Sequence, residues 1–179
     1  MPTSHLPIKI SLFILAASWL LLAIPSNGQN RQAVRYNNAL VAEQHKVVPS
    51  IVAFFEEHMK HGCSLEKALH EKEHIEFLLD KGIIKVSKMA SFQGNDSLRL
   101  AALEWLKIYK YTFDVDFETA IPLLAKKDKN PEELETLHVM QARLFDEEDK
   151  IDREFENAQM AFARRYHLDM IALPLEASK

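Results

Sequence analysis

An all-α fold is predicted for this chain of 179 residues by three observations. Apolar residues recur at spacings of three and four throughout, no run alternates like a strand for long, and glycine occurs only at positions 28, 62, 82 and 94. Short connections between long periodic segments bring neighbouring helices antiparallel, so the expected architecture is an up-down-up-down bundle of about four long helices.

A leader is expected ahead of the bundle. Lys9, an apolar run from Ile10 to Ile24 and the small polar stretch Pro25-Ser26-Asn27-Gly28 follow the order of a secretory signal. The run of roughly 15 residues falls short of the ~20 that a bilayer span requires, so cleavage is favoured over anchoring. Ser26 and Gly28 fit the small-x-small rule and place the cut between Gly28 and Gln29. Residues 1–28 are thus read as a cleaved signal peptide and 29–179 as one helical-bundle domain, large enough to bury its own core. No Cys stands at the cut, so a lipid-modified N-terminal Cys is not expected. Cys63 is the sole cysteine, and an internal disulfide is impossible.

The first helix is expected from about Gln32 to Lys60, with Val34, Val41, Val48, Ile51 and Phe55 on one stripe. Pro49 lacks a backbone donor and its ring opposes the carbonyl of His45, which predicts a kink or break near Val47. Gly62 ends the helix. Ser64 is a suitable cap for a second helix from Leu65 to about Met89, with Leu65, Ala68, Ile75, Leu79, Ile83 and Val86 on its apolar face. Gly82 should weaken it by about 1 kcal/mol relative to Ala.

Ser91 to Ser97 reads as a turn, with Asn95 or Asp96 capping the third helix, Leu98 to about Ala125. Trp105, Tyr109, Tyr111, Phe113 and Phe117 make this helix the most aromatic. Its apolar residues spread over roughly 240° of the wheel, so it is either central or partly in a partner interface. Asn130, Pro131 and Glu133 open the fourth helix with a cap, a first-turn proline and a capping-box acid. Leu134, Leu137, Leu144, Ile151, Phe155, Phe162 and Tyr166 carry its stripe to about His167, and Pro174 marks an irregular tail.

Without Lys9 the chain holds 21 Lys and Arg against 26 Asp and Glu, a net charge of −5. Nucleic acid and anionic membrane are poor partners for such a surface. The sharpest motif is His70-Glu71-Lys72-Glu73-His74, which matches the zinc-hydrolase pattern H-E-x-x-H. Composition weakens it, since His and Glu are frequent here. Lys72 and Glu73 stand where such helices carry apolar residues, and both histidines fall opposite the apolar stripe. A third ligand at the metzincin spacing is also missing.

Two Glu-x-x-His pairs, Glu71 with His74 and Glu135 with His138, resemble the ligand pattern of di-iron bundles, and Glu57 and Glu118 fall at about the same level. Both pairs lie off their apolar stripes, whereas such ligands must point inward. His58, His61 and Cys63 at the first corner are a weaker soft-metal set. No metal, cofactor or catalytic residue is therefore expected. Asn37, Gln44, Gln141 and Glu148 fall on core-like positions, where they either fix helix register or line a small polar cavity.

The segments Tyr36 to Gln44, Phe92 to Arg99 with Ala101-Ala102-Leu103, and Glu154 to Gln159 resemble a family of small helical bacterial surface or periplasmic proteins of unknown function. The resemblance runs from Val34 to Tyr166. It implies a helical bundle, export and a Gram-negative envelope, and carries over no functional residues. Its members are often lipoproteins with a Cys at the cleavage site, which this chain lacks.

The expectation is an exported, non-enzymatic binding module with an unidentified protein partner in the periplasm or at the cell surface. Tyr111 and Phe117 are its candidate contact residues, and a homo-oligomer is compatible with it. The competing expectations are a metal-binding bundle and a carrier of a small apolar ligand.

Overall fold

The computed structural model describes residues 21–24, 30–60 and 63–172. The chain is mostly helical, as its periodicity predicts. The described elements are β1 (Leu21–Ile24), α1 (Arg31–His45), α2 (Val48–Lys60), α3 (Leu65–Ser87), α4 (Ser97–Tyr111), α5 (Phe117–Ala125), α6 (Pro131–Tyr166) and β2 (Asp169–Ala172). None of the described helices is long and apolar enough to cross a membrane.

Local chemistry accounts for most boundaries. Asn30 caps α1 by accepting from the amides of Gln32 and Ala33. The helical run is interrupted at Lys46-Val47 and resumes as α2 at Val48. In the turn before α4, Gln93 and Gly94 both take positive φ, at 49° and 76°, while Phe92 and Asn95 bridge. Asp96 stands at the N-cap of α4 without a side-chain cap bond, and the Asn95 Oδ1 before it accepts from the Ser97 amide at 3.0 Å. At α6 the expected capping box forms, with Asn130 accepting from the Glu133 amide and Glu133 accepting from the Asn130 amide, each at 2.9 Å.

Packing settles what propensity leaves open. A methyl group on Gly82 would lie 3.2 Å from a Leu106 Cδ, so glycine there serves the close approach of α3 to α4. The helix expected from Leu98 to Ala125 is divided by a π turn, Thr112–Asp116, which inserts extra backbone between α4 and α5. Inward of that turn, Phe113 stacks on Phe117 at 4.9 Å, and Phe54 meets both rings edge-on. α4 contacts α1, α3 and α6, the central position that its wide apolar arc allowed.

Two expectations are corrected. Leu65 does not join the apolar face of α3; at the helix start it is 46% exposed. The tail after His167 is not irregular throughout. His167 adopts φ 54°, ending α6 in the left-handed conformation, and β2 then pairs antiparallel with β1 in the register Leu21 to Ala172 and Ile24 to Asp169. The strands are four residues each, too short to show alternation, and their partners stand at opposite ends of the sequence. Pro174 lies outside the described residues, as do residues 1–20 and 25–29 of the expected leader. Leu21–Ile24, the last apolar residues of that leader, pack as β1 with Ala23 only 2% exposed.

Candidate functional site

The H-E-x-x-H residues do not converge. His70 and His74 are exposed on α3. Glu71 turns to His58 on α2, whose buried Nε2 lies 2.8 Å from its carboxylate, with Lys67 at 3.7 Å. Lys72 is the inward residue of the motif, 7% exposed, held between Glu76 at 2.6 Å and Glu118 at 3.1 Å. Burial opposes its charge, but the two carboxylates outweigh that and raise its pKa.

The di-iron set is likewise dispersed. Glu135 and His138 are exposed on α6, while Glu118 is committed to Lys72 and Glu57 to Lys67. Of the corner residues, His58 is buried, Cys63 is half-buried with its thiol pushed up by burial, and His61 lies outside the described residues. Among the described residues no three or more His, Cys, Asp or Glu side chains gather as a metal would require.

The two proposed contact aromatics part company. Tyr111 is 53% exposed at the end of α4, whereas Phe117 is 1% exposed within the phenylalanine cluster. The π turn between them changes the helical phase, so a uniform wheel misplaces Phe117. Tyr111 lines an open groove of about 470 Å³ between α4 and α6. Ile108 and Ile151 supply its apolar lining; Glu104, Lys107, Glu147, Lys150 and Glu154 supply its charges. Lys150 reaches Glu154 at 3.9 Å, and Glu104 and Glu147 have no ion pair among the described residues.

Beneath the same helix pair lies a polar interior. The Trp105 indole donates to Asp152 at 2.7 Å. Glu148 is 7% exposed with one carboxylate oxygen unmatched, and burial, aided by the Asp152 charge, pushes its pKa up to about 8. Tyr109, fully buried with its hydroxyl unmatched, is also pushed well up by burial and by those two acids.

Of the other core-like polar residues, Gln44 is fully buried with both side-chain amide atoms unmatched among the described residues, and Gln141 is only half-buried, outside the core. Asn37, 0% exposed, belongs to a second polar centre beside β1. Its Nδ2 donates to the Leu21 carbonyl at 3.2 Å and to Asn38 Oδ1 at 3.0 Å, and its Oδ1 accepts from Gln159 Nε2 at 3.1 Å. Gln159 Nε2 also donates to the Leu21 carbonyl at 3.0 Å. Asn38 accepts from the Ala23 amide and donates to the Ala23 carbonyl, both at 2.9 Å.

The four core-like residues therefore do not bond one another. Of the partners that matter, Asn38, Gln159 and Asp152 were not singled out in the sequence, and Trp105 only as an aromatic residue of the third helix. For Gln159 a signal existed, because it sits on the apolar stripe between Phe155 and Phe162. Comparison with known protein families, with characterised proteins and with solved structures finds no match to this chain.

Proposed function

We propose that this chain is an exported, non-enzymatic binding module of a Gram-negative envelope, built as an up-down-up-down bundle and working through contact with another protein. The observation that carries this reading is the α4–α6 groove, where Tyr111 stands exposed beside Ile108 and Ile151. Aromatic anchors of this kind dominate many protein contacts. Glu104 and Glu147, without an ion pair among the described residues, favour a partner segment that carries an apolar side chain flanked by basic groups.

A photocrosslinking residue at position 111, compared with the same residue at the exposed position 138, tests the reading in intact envelopes. A discrete adduct at 111 that is missing at 138, and that weakens when Ile108 is changed to Asp, is the expected result. Equal labelling at both positions would remove the groove from consideration. An adduct of twice the chain mass would identify the partner as a second copy. Elemental analysis of chelator-free protein guards against the competing reading: about one bound metal per chain, lost in His70→Ala, His74→Ala, would replace a binding module by a metal protein.

A further inference from the structure

The polar centre beside β1 has an unusual division of labour. One edge of the strand pairs with β2 through main chain, and the other is met by three amide side chains from α1 and α6. Asn38 engages both the amide and the carbonyl of Ala23, as a neighbouring strand would. Asn37 and Gln159 together take the Leu21 carbonyl. Each of these side-chain bonds goes to main chain, so the identities of the residues in the strand matter little to them. Selection comes from size at one point, the buried position of Ala23, whereas Ile24 is 36% exposed.

The receiving groups are held by the helices and by each other. Asn37 and Gln159 are both 0% exposed, carried on long helices and bonded to each other. The occupant, in contrast, is a four-residue strand linked to α1 through residues 25–29, the stretch in which the expected leader cut falls. While that link is intact, the strand acts at an effective concentration on the order of millimolar, and a cut removes this advantage.

We infer that Asn37, Asn38, Gln159 and the edge of β2 that pairs with β1 form a strand-receiving site that binds an extended apolar peptide with a small residue at the Ala23 position. A peptide supplied in trans replaces Leu21–Ile24 once the chain is cut between residues 24 and 30. This site is separate from the α4–α6 groove, and the inference rests on cleavage of the leader rather than on the groove. Strand addition of this kind draws affinity from main-chain hydrogen bonds and specificity from one side-chain pocket.

The test uses the full chain with a protease recognition sequence in place of residues 25–29, purified folded and then cut. A fluorescent peptide of sequence LLLAIP, residues 20–25, with terminal lysines for solubility, is titrated against it by anisotropy. Saturable binding to the cut chain is expected, at least about tenfold weaker to the uncut chain and at least about tenfold weaker for Asn38→Ala. A peptide N-methylated at the alanine lacks the amide that Asn38 accepts from and should also lose about tenfold.

Equal binding of the N-methylated peptide would overturn the inference, as would a cut chain that keeps its helical circular dichroism but takes up no peptide. Native mass spectrometry reads whether the original segment has left. A segment that never exchanges against excess peptide, or a chain that unfolds when cut, would make β1 a permanent part of the fold and overturn it equally.

Discussion

Two regions of this protein bury polar side chains and treat them in opposite ways. Beside β1, Asn37, Asn38 and Gln159 spread their amide groups over main chain and one another, leaving Gln159 Oε1 as the unmatched atom of the set. Between α4 and α6, Glu148 and Tyr109 are packed against acids with oxygens unmatched. A neutral amide both donates and accepts, so buried main chain suits it; a carboxylate needs a cation or a proton. Glu43 completes the comparison. Although burial pushes its pKa up, Lys46 at 2.7 Å and Lys85 at 2.6 Å outweigh that and hold it below the usual value.

The largest effect should come from Glu148→Gln. In the folded chain the Glu148 carboxyl keeps its proton to about pH 8, against 4.5 when unfolded. The stability of the neutral buried form is therefore full below pH 4.5 and declines as pH rises through about 8, by roughly 5 kcal/mol in all. Urea melts of wild type and Glu148→Gln across pH 4 to 9 should coincide at the acid end and diverge at the alkaline end, with the variant more stable. Parallel curves would show that this carboxyl stays ionised in the fold.

Gln159→Leu should cost about 2 kcal/mol at any of these pH values, because Asn37 Oδ1 loses its donor while remaining buried. A flat pH response sets it apart from Glu148. Asn38→Ala is expected to cost about 1 kcal/mol and to speed hydrogen exchange at the Ala23 amide more than at α3 amides. Uniform acceleration would mean that β1 opens only with the whole fold. Tyr111→Ala should change stability by no more than about 0.5 kcal/mol, and a larger loss would place its ring in the core.

Legibility in the sequence followed the range of the interaction. The capping box at Asn130 and the turn at Gln93-Gly94 depend on residues a few positions apart, and their residue types announce them. The burial of Asn37, Gln44 and Glu148 was readable because each shares a stripe with apolar neighbours. Phe117 and Leu65 were misplaced, one by a π turn that no local residue type signals, the other by lying at a helix end. At the candidate groove only Tyr111 was legible; Ile151 read as an ordinary core position and Ile108 was not singled out, since nothing in one helix says where its neighbour leaves a gap.

The sequence by itself determined a chain of long amphipathic helices with defined ends, because the spacing of apolar residues and the caps act within a few turns. Tertiary structure alone decided which polar groups meet. Gln159 stands 138 positions from Leu21 and Trp105 stands 47 from Asp152, so their hydrogen bonds exist only once the helices pack. It also decided that four apolar residues of the expected leader become a strand, since a strand this short is stable only when β2 and the amides of Asn37, Asn38 and Gln159 are already beside it.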